Sequence, residues 1–379
     1  MKITAIESAA VHGNFDWILV RVQTDEGVSG TGEAYWGAGV YEILQTPAVT
    51  DLIVGLDPRD VEPLFTHLKR RLVGAGSVSG TMVTALSGIE IALWDRAGKA
   101  AGLPVYRLLG GKFRDRIRIY ADCGFHGWDS FEPARRVARE MLDQGFTALK
   151  FDIDKASPDE LDPWNRTLSN PELDRIAAMI AAVREEIGPG TDLLVDCHWK
   201  YNARDALALA EVLAPFRPRW LEDPVQANDT EGHRLVTARS PIPICSGENR
   251  YLKEGLRDLI VDHGADIIAP DIPKMGGLAE AKKVADLADA YSKAVAPHNV
   301  SSPLGTIAAC HAMATVPNFL LLEYHARTIP WWADLVDGPR VIADGYIHVT
   351  DEPGFGVTLR EDVARAHLRP GTDWFDRRP

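Results

Sequence analysis

Three short apolar runs in the middle of the chain each end in an acidic residue, at Asp196, Glu222 and Glu248. The intervals from 196 to 222 and from 222 to 248 are both 26 residues, the period of one strand and one helix. Unit negative charges about 4 Å apart repel by roughly 4 kcal/mol at an effective dielectric constant of about 20. Three converging carboxylates must therefore bind a cation or take up protons. Because all the ligand atoms are oxygens, we expect Mg²⁺ before Mn²⁺.

Further ionisable residues lie at or near the ends of apolar runs of strand length: His198 on the same run as Asp196, and Lys150, Asp271, His298 and Glu323 on other runs. Taken singly, each is more often a solvated loop charge or a capping residue. Asp271 and His298 follow consecutive runs, however, where a carboxylate can orient an imidazole as a general base. Lys150 offers positive charge for an anionic substrate, and its alternative role is to pair with a metal-binding carboxylate. The set as a whole predicts an active site.

A parallel (β/α)8 barrel would position all these residues, because its active site lies at the carboxyl ends of the strands. From residue 116 onward, apolar runs alternate with helical patterns. The predicted strands are 117–121, 148–153, 193–197, 220–223, 244–246, 267–270, 294–296 and 319–323.

The barrel is expected to occupy residues 116–325, between two other segments. Residues 1–115 predict a small α+β domain, with an alternating strand at 18–22 and helical periodicity at 61–72 and 82–101. The remaining segment, 326–379, is short and is expected to pack back on the first domain.

The composition and net charge of the chain limit which classes of partner we expect. The chain has 379 residues, 46% of them hydrophobic and 25% charged, which is ordinary for a globular protein with a large core. A net charge of −13 argues against nucleic acid or an anionic membrane as a partner. Four scattered cysteines, no apolar signal core and no run of 18 apolar residues predict a cytoplasmic protein. A small anionic substrate remains possible where positive charge is concentrated locally.

Several longer motifs carry a family resemblance over nearly the whole chain. The motifs are GIEIALWD at 88–95, GLPVY at 102–106, VD at 195–196, LEDP at 221–224, SGE at 246–248, PD at 270–271 with Lys274 and GG at 276–277, and PH at 297–298. The chain resembles the enolase superfamily in its mandelate racemase-like branch, and especially the galactonate-, mannonate- and gluconate-type acid-sugar dehydratases. The resemblance implies an α+β capping domain on a modified barrel, a Mg²⁺ cofactor, and abstraction of the proton α to a carboxylate.

The resemblance also implies roles for single residues. Relatives with a catalytic lysine on the sixth strand would carry it where Asp271 stands, so His298 is the expected base. Racemases of this branch have Lys-x-Lys on the second strand, whereas this chain has Lys150 and then Asp152. His198 resembles the general acid of the dehydratases, with a hydrogen bond beside the metal as its alternative role.

Substrate contacts are implied for a second group of residues. Glu323 is expected to hydrogen-bond the substrate or the enediolic acid, and Lys150 and Asp152 to contact the substrate. Segments 10–17 and 74–80 resemble the loops that relatives fold over the substrate. Phe15 and Trp17 are therefore either substrate contacts or packing aromatics, and Trp331 with Trp332 could also line the pocket.

These features predict a Mg²⁺-dependent dehydratase of an aldonate or aldarate, with a 2-keto-3-deoxy sugar acid as product. Relatives also imply a homo-oligomer, a dimer or an octamer. Two alternatives stay open: a racemase or epimerase of a 2-hydroxy or sugar acid, with Asp152 as second base, and a non-catalytic metal-binding relative.

Overall fold

The structure is a computed structural model that describes residues 1–160, 162, 164–338 and 341–375. The predicted C-terminal segment, 326–379, therefore lies partly outside the described residues. Within the described part of the chain, no helix is both long enough and apolar enough to cross a membrane.

The first part of the chain is a three-stranded antiparallel sheet covered by helices. Its elements are β1 (Ile3–His12), β2 (Asp16–Thr24), β3 (Gly30–Ala34), α1 (Val40–Leu44), α2 (Pro47–Thr50), α3 (Val61–Arg71), a 3-10 turn (Val73–Ala75), α4 (Gly80–Ala101) and α5 (Val105–Leu108). The strand order is β1-β2-β3. Helix α4 packs directly on β3, and a Cβ at Gly32 would lie 2.5 Å from the backbone nitrogen of Ala92. Only glycine permits this close approach, which fixes α4 against the sheet.

Eight parallel strands follow, connected by helices. In chain order the elements are β4 (Arg116–Asp122), α6 (Glu132–Asp143), β5 (Ala148–Asp152), α7 (Asn170–Ile187), β6 (Asp192–Asp196), α8 (Ala203–Leu213) with a 3-10 turn (Ala214–Phe216), β7 (Trp220–Glu222), α9 (Thr230–Arg239), β8 (Ile244–Ser246), α10 (Leu252–Val261), β9 (Ile267–Ile268), α11 (Ile272–Met275), α12 (Gly277–Ala290), β10 (Ala294–Val295), α13 (Pro303–Ala314) and β11 (Leu322–Tyr324). The predicted barrel strands are confirmed.

The barrel closes at residues 319–324. The sheet order runs from β10 through β9, β8, β7, β6, β5 and β4 to β11. Just before β11, Phe319 bridges Val295 of β10 in parallel, while Glu323 of β11 pairs with Tyr120 of β4. One extended segment thus pairs with both β10 and β4. Among the described residues, the helical elements after β11 are a short 3-10 turn at 332–335 and the six-residue helix at 361–366, so the architecture is a modified barrel, as predicted.

The segment after β11 contacts both the barrel and the first part of the chain. Its elements are a 3-10 turn (Trp332–Leu335), β12 (Val336–Asp337), β13 (Tyr346–His348), β14 (Thr358–Leu359) and α14 (Glu361–Ala366). Strand β13 pairs antiparallel with β4, and the N–H of Val105 on α5 donates to the carbonyl of Gly354 at 2.9 Å. The domain boundaries at 115 and 325 stay predictions.

Glu90, in the GIEIALWD motif, ties α4 to the barrel. Its carboxylate accepts the backbone N–H groups of Leu278 at 2.8 Å and Ala279 at 2.9 Å, at the start of α12. The indole N–H of Trp94 donates to the same carboxylate at 2.7 Å. Gly277 has a φ of +85°, and a Cβ there would lie 2.0 Å from Glu90 Oε2. The motif is therefore explained by helix capping across the domain contact.

Replacing Glu90 with glutamine is expected to change how stability depends on pH. Burial raises the pKa of Glu90 to about 7, although the three N–H donors oppose this shift. A carboxyl with a raised folded-state pKa adds stability below its unfolded value of 4.5, and that stability is lost as the pH rises through 7. The wild-type protein should therefore lose stability relative to Glu90→Gln across this window. Urea denaturation of both proteins at about pH 5 and about pH 7.5 measures the change, and an equal difference at both values would contradict it.

Candidate active site

Lys150, on β5, lies at the centre of a group of buried carboxylates. Its Nζ is 2.8 Å from Glu323 Oε1, 2.9 Å from Asp196 Oδ2, 3.4 Å from Glu222 Oε1 and 3.5 Å from Asp122 Oδ2. Burial opposes the charge on Lys150, but the surrounding carboxylates outweigh it and raise the pKa of the ammonium well above its usual value. Lys150 therefore carries a positive charge in the middle of the barrel mouth.

The three predicted metal ligands end three neighbouring strands. Asp196 and Glu222 are register partners on β6 and β7, and Glu248 follows two residues after β8. All three side chains are buried. Asp196 Oδ1 accepts the backbone N–H of His198 at 3.0 Å, and Glu222 Oε2 accepts the indole N–H of Trp220 at 2.8 Å. In each of these two carboxylates, one oxygen accepts a hydrogen bond and the other oxygen points at the Nζ of Lys150.

A different group of ligand atoms is the more compact one. Among the described residues, Asp152, Asp196 and His198 offer one ligand atom each within 4.8 Å of one another. Glu222 and Glu248 are not part of that cluster. A cation held by Asp196, Glu222 and Glu248 would therefore have to draw these side chains together.

The electrostatics of the site fit a bound cation. Burial, followed by the charges of Asp196, Glu323 and Glu248, raises the pKa of Glu222 well above its usual value despite the nearby Lys150. Asp196 Oδ2 and Glu323 Oε1 are buried and share the same ammonium group, Lys150 Nζ, at 2.9 and 2.8 Å. One lysine therefore does not balance the negative charge. A hard divalent cation with oxygen ligands would supply what is missing.

His298 has the geometry of a base held by an acid. Its Nδ1 is 2.6 Å from Asp271 Oδ2, and its Nε2 lies 3.3 Å from Glu248 Oε2 and 3.8 Å from Glu323 Oε2. Although burial opposes protonation, Glu248, Glu323 and Asp271 raise the pKa of His298 to about 10. Asp271 fixes one ring nitrogen, and the other faces the carboxylates. A cation bound to Glu248 would offset the charge that raises this pKa, and Nε2 would then accept a proton from a substrate.

His198 lies on the other side of the barrel mouth. In the strand order, β6 and β10 are four positions apart in a ring of eight, so the two imidazoles flank the carboxylates from opposite sides. His198 Nε2 is 3.8 Å from Asp196 Oδ2. The backbone is strained here, with φ of +41° at His198, +58° at Trp199 and +40° at Asp223. Strain of this kind, in residues other than glycine, clusters at functional sites.

Aromatic side chains from the first part of the chain cover one side of the site. Phe15 stacks on Trp36 with ring centroids 4.8 Å apart and lies 5.4 Å from the ring of His325. The ring of Tyr35 is 6.0 Å from that of His298. Phe15 therefore contacts both Trp36, which follows β3, and His325, which follows β11.

Trp17 and the tryptophan pair near the end of the barrel make packing contacts with one another and with the backbone. The Trp17 side chain is buried, and its indole N–H donates to the carbonyl of Val300 at 3.3 Å. Trp331 packs edge-on against Trp17 at 5.3 Å, and the indole N–H of Trp332 donates to the carbonyl of Ser301 at 3.1 Å. These contacts favour the packing alternative for all three.

The structure brings most of the predicted residues to one place, and adds three. Lys150, Asp152, Asp196, His198, Glu222, Glu248, Asp271, His298 and Glu323 all lie at the carboxyl ends of the strands. Asp122 and Asp154 lie there too, and Tyr35, which follows β3, has its ring 6.0 Å from that of His298; the residues predicted from sequence include none of these three. Asp122 directly follows the predicted first strand, so the rule that found the other acids would also have found this one.

Both parts of the chain match known families. Residues 5–110 match the mandelate racemase / muconate lactonizing enzyme N-terminal domain, and residues 133–363 match the enolase C-terminal domain-like family. The crystal structure of a mandelate racemase/muconate lactonizing enzyme-like protein from Rubrobacter xylanophilus superposes with a TM-score of 0.95 at 40% sequence identity, covering 99% of both chains.

Two curated relatives of this chain are named as sugar-acid dehydratases. The chain is 44% identical over 378 residues to the D-xylonate dehydratase of Haloferax volcanii, covering 99% of this chain and 91% of that protein. It is 32% identical over 348 residues to the D-gluconate dehydratase of Thermoproteus tenax, covering 91% and 68% respectively. Dehydratases of this kind are hydro-lyases. With its two matched domains and its barrel of converging acids, the chain belongs to the mandelate racemase/muconate lactonizing enzyme family of the enolase superfamily.

Proposed function

We propose that this protein is a Mg²⁺-dependent dehydratase of a sugar acid, an aldonate or an aldarate. The observation that carries the proposal is His298, held by Asp271 at 2.6 Å and turned toward the buried carboxylates. A histidine base with no second lysine at position 152 suits removal of one proton followed by elimination. The dehydratase relatives support the same reaction class.

In the proposed first step, His298 Nε2 removes the proton from C2, and the C–H electron pair forms the enediolate. Lys150 and Glu323, 2.8 Å apart, contact the substrate carboxylate and the enediolic oxygen. When bound by Asp196, Glu222 and Glu248, Mg²⁺ supplies Lewis-acid stabilisation of the negative charge. Fixed charges around a site closed to water are the largest expected contribution to the rate.

In the second step the enediolate electrons form the C2–C3 double bond and the C3–O bond breaks. His198 donates a proton to the departing hydroxyl, which leaves as water. The resulting enol tautomerises to a 2-keto-3-deoxy sugar acid. The opposite placement of the two histidines supports a separate base and acid.

Among sugar acids, we propose an aldonate such as D-xylonate as the first substrate to test. The relative that acts on D-xylonate, by its name, is 44% identical over nearly the full length of this chain. The D-gluconate dehydratase at 32% identity makes a six-carbon aldonate the next candidate.

Epimerisation is the second candidate, and Asp152 is the observation that favours it. Burial, followed by the charges of Asp122 and Asp196, raises the pKa of Asp152 to about 8. A carboxyl with such a pKa is poised to exchange a proton near neutral pH. Asp152 also stands where racemases of this branch have their second lysine.

Incubation with Mg²⁺ and a library of aldonic and aldaric acids in D₂O tests the proposal. A dehydratase yields a keto acid that a carbonyl reagent detects, with one equivalent of water lost. Deuterium at C2 of recovered substrate with inverted configuration, and no keto acid, would instead identify an epimerase. Binding without keto acid or deuterium exchange for any substrate would leave the non-catalytic alternative.

We also propose a cytoplasmic homo-oligomer, a dimer or an octamer. All four cysteines are buried and free, which suits a reducing compartment. Light scattering of the purified protein measures the oligomeric state directly.

A further inference from the structure

Strand β5 continues past its last assigned residue and carries three ionisable side chains on one side. The backbone N–H of Ile153 donates to the carbonyl of Asp196 at 3.0 Å, which extends the pairing with β6. Side chains alternate along a strand, and Ile153 is buried among apolar residues. Lys150, Asp152 and Asp154 therefore face the barrel mouth together.

Asp154, the outermost of the three, contacts the His198 ring. His198 Nδ1 lies 3.1 Å from Asp154 Oδ1, and Asp154 Oδ2 lies 3.1 Å from Lys155 Nζ. Neither His198 Nδ1 nor Asp154 Oδ1 has an aligned hydrogen-bond partner, and such bonds often tighten only when substrate is bound. The contact assigns different environments to the two ring nitrogens, because Nε2 faces Asp196 Oδ2 at 3.8 Å.

The backbone on the His198 side is fixed independently of Asp154. His198 donates its N–H to Asp196 Oδ1 at 3.0 Å, and Trp199 donates its N–H to the carbonyl of Asp223 at 2.7 Å. These bonds hold the strained turn with φ of +41° and +58°. They position the Cα of His198 but do not determine how its ring is rotated. The contact with Asp154 supplies that constraint.

We propose that Asp154 is a positioning residue that holds His198 Nδ1 so that Nε2 delivers the proton to the departing 3-hydroxyl group. The inference rests on the proposed dehydratase function. The proton moves from Nε2 to the hydroxyl oxygen as the C3–O bond breaks, water leaves, and the enediolate electron pair closes the C2–C3 double bond. Nε2 then regains its proton from solvent. Asp154 and His198 thus repeat, on β5 and β6, the arrangement of Asp271 and His298 on β9 and β10.

The competing role for His198 is that of a metal ligand. Its ring and the carboxylates of Asp152 and Asp196 form the compact cluster within 4.8 Å. In that case Asp154 would orient a ligand, and its removal would weaken metal binding. The two roles differ in which step of the reaction depends on Asp154.

The test is the Asp154→Asn variant of the full-length Mg²⁺-loaded enzyme, assayed with the sugar acid that the wild type dehydrates, D-xylonate first. We expect kcat for dehydration to fall by about 10²-fold with little change in KM, the lower end of the range that general acid–base catalysis contributes. Exchange of the C2 proton with D₂O should continue, so deuterium accumulates in unreacted substrate. The 3-deoxy-3-fluoro analogue should react at close to the wild-type rate, because fluoride needs no proton to leave.

Three further variants sharpen the result. His198→Asn should lose dehydration at least as strongly, and adding Asp154→Asn to it should cost nothing more, since both act through one group. Asp154→Glu should recover part of the activity. Asp159→Asn is the matched control. It removes a carboxylate from the same loop, but that carboxylate pairs with Arg175 at 2.5 Å and not with His198.

Each contrary outcome has a distinct meaning. Equal dehydration by the wild type and Asp154→Asn overturns the positioning role, as does an equal loss with the fluoro analogue. A weaker Mg²⁺ affinity in Asp154→Asn or His198→Asn, measured by calorimetry, overturns it in favour of a ligand role for His198. If Asp154→Asn does not fold, Asp154→Glu must still show the split between exchange and dehydration. A wild type that dehydrates no sugar acid refutes the proposed function itself.

Discussion

Replacing His298 with asparagine is expected to abolish dehydration, with kcat reduced by about 10⁴-fold, the upper end of what general acid–base catalysis contributes. Exchange of the C2 proton with D₂O should stop as well. Asparagine keeps a polar side chain of similar length that can still contact Asp271. It has no nitrogen that accepts a proton near neutral pH.

Three structural features of His298 are the reason for this large expected effect. The ring is buried, Asp271 fixes its Nδ1 at 2.6 Å, and its Nε2 lies 3.3 Å from Glu248 and 3.8 Å from Glu323. Asp271→Asn should therefore have a smaller effect than His298→Asn, since the base remains but its orientation is weakened. Stopped incubations analysed for keto acid and by NMR for deuterium at C2 measure both reactions.

His348→Asn is the matched control, because His348 is exposed on β13, on the antiparallel strand added to β4. It should retain wild-type activity. Proton exchange by His298→Asn at the wild-type rate would contradict the assignment of the base. In that case Asp152, with its raised pKa, would be the next residue to replace.

Removing the metal is expected to eliminate turnover and to lower the melting temperature. Without a metal ion, the positive charge of Lys150 faces four carboxylates at once, those of Asp122, Asp196, Glu222 and Glu323. The negative charge of an enediolate would add to this repulsion, so the proton would not be removed at a useful rate. Dialysis against a chelator, followed by addition of Mg²⁺, should abolish and then restore activity. Thermal denaturation with and without Mg²⁺ measures the gain in stability, which grows with the concentration of free ion.

Single substitutions decide which carboxylates hold the ion. If Asp196, Glu222 and Glu248 are the ligands, Glu222→Gln and Glu248→Gln should each weaken Mg²⁺ binding strongly, while Asp152→Asn should leave it nearly unchanged. The reverse pattern would favour the compact cluster that contains Asp152 and His198. Full turnover by the metal-free protein would refute a metal-dependent mechanism altogether.

The sequence predicted a large part of this site because the barrel follows a regular period. Asp196, Glu222 and Glu248 occur at strand ends in sequence, and the carboxyl ends of parallel strands must converge at one end of a barrel. The same rule located Asp271 and His298 on consecutive strands. These residues needed only the alternation of strands and helices, which apolar patterning reveals.

Other features depend on how side chains and turns are arranged after each strand ends. The four-carboxylate surroundings of Lys150, the contact of Asp154 with His198 and the burial of Trp17 are not encoded in local periodicity. Closure of the barrel by residues 319–324 likewise depends on pairing with both β10 and β4.

By itself, the sequence determined the barrel and the chemical types of the residues at the strand ends, because strand and helix periods are local properties of the chain. The family resemblance came separately, from the longer motifs. Only the tertiary structure decided which atoms of those residues meet. Positive φ at His198, Trp199 and Asp223 redirects the chain just beyond the strands, and contacts between distant segments set the final side-chain directions. Both come from packing between elements that are far apart in sequence.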